Sequence, residues 1–309
     1  MKKTIYLAGG CFWGVEAYFA RVNGVLDSVS GYANGLNDKA NYRELKSSMH
    51  AETVKVDYDD EKVSVEELVM HLFRLIDPQS LNKQGNDIGT QYRTGVYFEN
   101  ENDHKIIAKL FEYLKDKYSK FYVELEKLRH FINAEDYHQD YLEKNPNGYC
   151  HVNLNVDYKL NEHENKIIKQ VRNELKLDQL SYDVLKKSAT EYPHTSSLNN
   201  EYRKGIYVEK ITGEALFSSD DKFDSGCGWP SFSKPIEKES VHYLDDTSHR
   251  MLRIEVRSGE GNNHLGHVFN DGPKDMGGMR YCINGAALEF IPLEQMDERG
   301  YSEFKKFVK

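Results

Sequence analysis

Thr4-Ile5-Tyr6-Leu7-Ala8-Gly9-Gly10-Cys11-Phe12-Trp13-Gly14 is the stretch from which the rest of the chain is read. Thr4 to Leu7 reads as a short strand, Gly9-Gly10 as a turn and residues 12–22 as a helix. Cys11 therefore falls where a strand ends and a helix begins. Unpaired N–H groups at a helix start carry partial positive charge, which favours a thiolate. The glycines allow close backbone approach to a ligand. Phe12 and Trp13 set aromatic surface beside the thiol, suited to holding a methyl–sulfur group. Placement alone leaves open a buried, inert cysteine under a helix.

Outward from this stretch, Val54, Val56 and Tyr58 alternate with polar residues, as in a strand. Ser64 and Glu67 form a capping box, and Val65, Leu68, Val69, Leu72, Leu75 and Ile76 follow at helical spacing up to Asp77-Pro78. A further helix is expected over 103–117 and a strand over 121–125. Residues 158–178 are charged, lack Gly and Pro, and read as a helical linker. Beyond them, short strands are expected at 206–208, 241–244 and 252–256, between Gly, Asp and Ser turns. The expected fold is multidomain: an N-terminal α+β two-layer, ferredoxin-like domain (1–157), a helical linker (158–178) and a mostly-β C-terminal domain (179–309). A length of 309 residues agrees with two domains of roughly 100–200 residues each.

Composition narrows the function classes. No stretch approaches the roughly 18–20 apolar residues of a membrane helix. With a net charge of −9 and no basic stripe, no nucleic-acid partner is expected. The opening Met1-Lys2-Lys3 is followed by too short an apolar run for a signal peptide, so the expected location is cytoplasmic. Only four cysteines occur, Cys11, Cys150, Cys227 and Cys282, and none form C-x-x-C. Neither a thioredoxin-type dithiol nor a four-cysteine zinc site is legible.

The second half carries its own constellation: Gly226-Cys227-Gly228-Trp229-Pro230-Ser231-Phe232, His264-Leu265-Gly266-His267-Val268-Phe269, and Arg280-Tyr281-Cys282-Ile283-Asn284. A guanidinium beside a thiol favours the thiolate, and histidines deliver protons near neutral pH. A zinc reading is weak, because two histidines three apart and scattered cysteines complete no tetrahedral set.

Residues 10–14, Gly-Cys-Phe-Trp-Gly, resemble the signature of the methionine sulfoxide reductase A family. The likeness extends through Asn41-Tyr42-Arg43-Glu44, His50-Ala51-Glu52, Asp87 to Arg93, Glu135 to Gln139 and Asn145 to Cys150. It implies Cys11 as the nucleophile on the sulfoxide sulfur and Glu52 as the acid that protonates the oxygen. Tyr42 and Tyr92 would hold that oxygen, Phe12 and Trp13 would cage the methyl group, and Asp87 would support them. Cys150 would resolve the sulfenic acid as a disulfide. Lys46 stands near where some relatives carry a further cysteine, so no three-cysteine relay is expected. The three second-half segments together resemble methionine sulfoxide reductase B over about residues 180–292. That likeness implies Cys282 as nucleophile and Cys227 as resolving thiol. His264, His267 and Asn284 would handle the oxygen, Arg280 would favour the thiolate and Trp229 would meet the methyl group.

Four departures stand out. Residues 208–211 and 257–261 lack the cysteine pairs that hold zinc in many relatives, so no metal and no cofactor is expected. Gly285 replaces the usual Ser and Glu289 a basic residue. Pro193-His194 replaces Pro-Phe. The two enzyme classes serve one sulfoxide epimer each, and the resemblance implies the S epimer for the first domain and the R epimer for the second. A monomer is expected, working on oxidised proteins or free methionine sulfoxide, with a thioredoxin-like dithiol or dithiothreitol as electron donor. A thiol peroxidase, a redox-sensing binding module and a degenerate second domain remain as alternatives.

Overall fold

Residues 1–150, 152–248 and 251–309 are described by the computed structural model of the chain, which falls into two units, Met1–Val171 and Arg172–Lys309. The first unit runs β1 (Lys2–Gly9), α1 (Phe12–Phe19), β2 (Val25–Ala33), α2 (Leu45–Ser48), β3 (Ala51–Asp59), α3 (Val65–Phe73), β4 (Lys83–Gln84), β5 (Asp87–Ile88), β6 (Thr94–Phe98), α4 (Glu101–Lys115), β7 (Glu124–Lys127), β8 (Phe131–Asn133), α5 (Tyr141–Lys144) and α6 (Glu162–Lys176). Its six-stranded sheet has the order β7-β6-β1-β3-β2-β8, antiparallel except between β6 and β7.

Central β1 is apolar on both faces, as a strand covered on both sides must be. Ile5 and Leu7 join Val54 and Val56 of β3 under Val15, Phe19, Leu68 and Leu72 of the helices. Tyr6 and Ala8 turn the other way, onto Ala33, Ala51 and Tyr97. At the end of β1 the chain reverses through Gly10, whose φ of +86° is strained for any side chain, and delivers Cys11 as the N-cap of α1.

The capping box at Ser64 forms as read, with both reciprocal bonds present. The helix it starts ends at Phe73, short of Ile76. Arg74 and Leu75 bond back only three residues, and the Arg74 guanidinium is committed to Glu164 and to the carbonyls of Asp157 and Lys159. Helix α1 likewise stops at Phe19 rather than residue 22, where the backbone tightens through Arg21 and Val22 bonds to Tyr18 and Phe19. The charged segment read over 158–178 is helical from Glu162 to Lys176. Its Ile167, Ile168 and Val171 lie in the core of the first unit.

The second unit opens with α7 (Gln179–Lys187), capped by Asp178. Strands β9 (Gly205–Glu209), β10 (Ala215–Ser218), β11 (Lys222–Phe223), β12 (Ser231–Phe232), β13 (Val241–Asp246), β14 (Arg253–Ser258), β15 (His264–Phe269), β16 (Arg280–Ile283) and β17 (Leu288–Pro292) follow. They form a three-stranded sheet, β10-β9-β17, and a six-stranded sheet, β11-β12-β16-β15-β14-β13. Phe217, Phe232, Val256, Leu265 and Ile283 fill the core between them, with Val184 and Leu185 of α7. The register sets Cys282 of β16 opposite Ser231 on one side and His267 on the other. No helix among the described residues is long and apolar enough to cross a membrane.

Candidate active sites

In the first unit, β3 places Glu52 beneath the start of α1. Its Oε2 accepts the Phe12 N–H at 3.1 Å, one residue from the Cys11 thiol. The carboxyl is 1% exposed. Burial pushes its pKa up to about 8 against the pull of that amide, with the Asp87 charge adding to the rise. Near neutral pH Glu52 is thus an acid with a proton to give. Burial, then the Glu52 charge, drives the Cys11 thiol well above its ordinary range, while a bond from the Trp13 backbone works the other way. Burial, then the Glu52 charge, raises the Tyr42 and Tyr92 hydroxyls above their ordinary range. Tyr42, Asp87 and Tyr92 line an open cleft of roughly 540 Å³.

Phe12 and Trp13 follow Cys11 in the first turn of α1, and around them the structure adds residues the sequence reading assigned no role. Tyr141 stacks on the Trp13 indole with centroids 3.7 Å apart. The indole N–H donates to His138 Nδ1 at 3.0 Å. The His138 ring also lies against Phe12 and Tyr42. Glu135 accepts from the Tyr32 hydroxyl at 2.6 Å and from the Tyr42 N–H at 3.1 Å, tying the Tyr42 turn to the sheet. Glu135 and His138 stood within a quoted motif, but only the fold gives them partners.

Cys150 approaches the first turn of α1. A Cβ placed on Gly14 would come within 3.0 Å of its Sγ and 2.8 Å of Val152 Cγ2. The preceding Tyr149 donates its hydroxyl to Asp87 at 3.2 Å, which ties the Cys150 segment to the cleft wall.

In the second unit, Cys227 and Cys282 face each other with sulfurs 3.4 Å apart, within a small movement of the roughly 2.05 Å disulfide bond. Burial opposes ionisation of Cys227, but hydroxyls of Ser225 and Ser231 and its other bonds outweigh it, and its pKa falls. Burial and the neighbouring Cys227 push Cys282 up, with Arg280 acting the other way. The two thiols are thus pushed in opposite directions, Cys227 toward ionisation and Cys282 away from it. Cys282 itself lines a pocket of about 120 Å³ with Trp229, Arg253, His267, Phe269 and Asn284.

Each histidine is held by a carboxylate that an arginine holds in turn. His264 Nδ1 meets Glu255 at 2.6 Å, beside Arg257. His267 Nε2 meets Asp246 at 2.7 Å, beside Arg253. The Arg280 guanidinium forks onto Asp271 at 2.8 Å and lies over the Phe269 ring. Asn284 lines the pocket, but both ends of its amide are engaged: it accepts from Glu191 N–H at 3.0 Å and donates to the Leu265 carbonyl at 2.9 Å. The space that a side chain at Gly285 would need is filled by Ser196, whose Oγ lies 1.9 Å from that Cβ position.

Glu209 is fully buried. Its carboxylate accepts from Ile211 N, Thr212 N, Thr212 Oγ1 and Asn263 Nδ2 at 2.7–3.2 Å. This network joins the 209–212 turn to the 258–263 turn and supplies no thiolate. Among the described residues no group of three His, Cys, Asp or Glu is arranged to hold a metal ion.

Two family models match the chain: peptide methionine sulfoxide reductase over residues 3–175 and the SelR domain over residues 177–292. Among solved structures it is similar to Mxr1 from Saccharomyces cerevisiae in reduced form, with 38% identity, 48% of this chain and 88% of that chain covered and a TM-score of 0.46. It is also similar to methionine sulfoxide reductase A of Corynebacterium diphtheriae, with 34% identity, 48% and 77% coverage and a TM-score of 0.44. The first model alone spans more than half of the sequence. The chain therefore belongs to the peptide methionine sulfoxide reductase family, carries a SelR domain behind the first domain, and reduces methionine sulfoxide to methionine in both.

Proposed function

We propose that the first unit reduces the S epimer through Cys11, Glu52 and Cys150, and the second the R epimer through Cys282 and Cys227. The observation that carries this reading is the buried Glu52 carboxyl, its pKa raised by that burial, bonded to the amide that follows Cys11. A sulfoxide oxygen leaves only once protonated, so the nucleophile and the acid must act on one S–O bond together. Cys11 Sγ attacks the sulfoxide sulfur while Glu52 gives its proton to the oxygen, with Tyr42 and Tyr92 donating to that oxygen. The substrate S–O bond breaks and its oxygen ends, with that proton, on Cys11 Sγ, so sulfur is reduced to the thioether and Cys11 is oxidised to sulfenic acid. Cys150 then displaces water from it to give a disulfide. In the second unit, His264 and His267 serve the oxygen, Arg280 supports the Cys282 thiolate, Trp229 walls the methyl group and Asn284 keeps the pocket in shape.

A thioredoxin-like dithiol returns each disulfide to thiols by exchange. The reading includes a monomer working without zinc in the cytoplasm, and the Glu209 network supports the metal-free part. The order β6-β1-β3-β2 at the centre of the first sheet supports a ferredoxin-like description. Without reductant, wild type is expected to form about two methionines per chain from racemic substrate and to end with two disulfides, seen by intact mass. Cys150→Ser is expected to stop with a trappable sulfenic acid on Cys11; its absence would count against the assigned resolver.

A further inference from the structure

Each site has a tryptophan, and each tryptophan is held by a segment that a buried glutamate pins in place. Glu16 lies one turn along α1 from Phe12 and Trp13 and is 3% exposed. Its carboxylate accepts Ser30 N–H of β2 at 3.2 Å and Asp140 N–H at 3.0 Å. Gln139 secures the same segment by bonding Ser30 on both its amide and its carbonyl. Asp140 has a φ of +51°, a left-handed conformation that costs a non-glycine residue energy. The bond to Glu16 fixes it there. On either side of this point stand His138, which receives the Trp13 indole N–H, and Tyr141, which stacks on its face. Edge and face of Trp13 are thus set by one short segment.

The second unit repeats the device with different parts. Glu191 is buried, and its carboxylate accepts Gly285 N–H at 2.5 Å and Ala286 N–H at 3.1 Å, just beyond Cys282. Its own N–H goes to Asn284, and its carbonyl receives the Trp229 indole N–H at 3.1 Å. We propose that Glu16 and Glu191 are positioning residues, one per site, each setting the pose of the tryptophan that walls the methyl group. The proposal rests on the reading of Trp13 and Trp229 as those walls. It requires two acceptor oxygens on each side chain. A glutamine offers one oxygen and turns an NH2 toward the second amide, where donor meets donor.

The test uses the full chain and separated epimers. Glu16→Gln is expected to raise KM for the S epimer about tenfold with kcat within threefold, and to leave R-epimer kinetics as in wild type. Glu191→Gln is expected to do the reverse. Because the chain has only two tryptophans, Trp13 emission is read alone in a Trp229→Phe background and Trp229 emission in a Trp13→Phe background. Each glutamine variant should shift the emission of its own tryptophan. Adding Asp140→Gly to Glu16→Gln, so that the left-handed residue needs no clamp, should restore most of the S-epimer KM. Unchanged emission with unchanged KM overturns the proposal, and so does a loss of kcat that Asp140→Gly does not relieve. Trp13→Ala separates the layers: if it leaves the S-epimer KM unchanged, the methyl-wall reading falls, while the emission shift still decides whether the clamp exists.

Discussion

Replacing Glu52 with glutamine removes the proposed proton donor while keeping shape and the bond from Phe12 N–H. With its pKa near 8, the carboxyl at pH 7 is neutral by roughly ten to one. On the proposed roles, the reactive state needs thiolate on Cys11 and a proton on Glu52. It therefore holds one proton fewer than the fully protonated site, the same count as the more populated state with Glu52 ionised and Cys11 protonated. Its population rises tenfold per pH unit up to about 8 and is level above, because the pair titrates as a unit. Wild-type kcat/KM for the S epimer, measured in single turnover by methionine release, should follow that curve. In Glu52→Gln the break near pH 8 should vanish, and the rate should fall about 10²–10⁴-fold, the usual worth of a placed general acid. Cys11 itself should alkylate faster at pH 8 in this variant, since a negative neighbour has been removed. Stability should respond too. Between pH 4.5 and about 8 the folded chain keeps a proton that the unfolded chain has lost, so wild type loses stability as pH rises, by at most about 5 kcal/mol. Glu52→Gln should lack that slope in denaturant titrations. A variant that keeps the wild-type rate, or keeps the break near pH 8, refutes the acid assignment.

Gly14→Ala puts a methyl group against Cys150 and Val152. It should leave the first methionine release intact and slow disulfide closure about tenfold or more, read as sulfenic acid trapped on Cys11 and counted by mass spectrometry. In the second unit, iodoacetamide at pH 7.5 should label Cys227 before Cys282, and Ser231→Ala should slow that labelling, because the Cys227 pKa is lowered and its sulfur leans on the serine hydroxyl. Peptide mapping that finds Cys282 labelled first would reverse this charge assignment. Glu209→Ala strips the acceptor from four bonds in a buried turn and should destabilise the second unit by about 2–4 kcal/mol, seen as an earlier loss of R-epimer activity on heating. Chelator should leave the wild-type melt unchanged.

Local signals survived translation into three dimensions well. The capping box at Ser64, the alternation from Val54 to Tyr58 and the strand–turn–helix around Cys11 depend on residues a few positions apart, and they sit where the sequence puts them. Partnerships across the chain were out of reach. Glu16 meets Asp140 124 positions away, and Glu52 reaches Phe12 across 40; no spacing rule links such pairs. Asn284 and Arg280 show the complementary limit. Their side-chain types suit a reacting site, but Asn284 is bonded to backbone on both ends and Arg280 is forked onto Asp271. Gly285 was legible as a departure, yet the Ser196 side chain that fills its space lies on a distant segment. The beginning of β7 was misplaced because residues 121–123 read like strand but the pairing with β6 starts at Glu124, where Gly95 finds its partner.

The most direct test of the two-site account is turnover of separated S and R methionine sulfoxide epimers, with dithiothreitol as reductant, by wild type, Cys11→Ser and Cys282→Ser. Wild type should reduce both, Cys11→Ser only the R epimer and Cys282→Ser only the S epimer. If either single variant loses both epimers, or keeps both, the assignment of one nucleophile to each unit is contradicted.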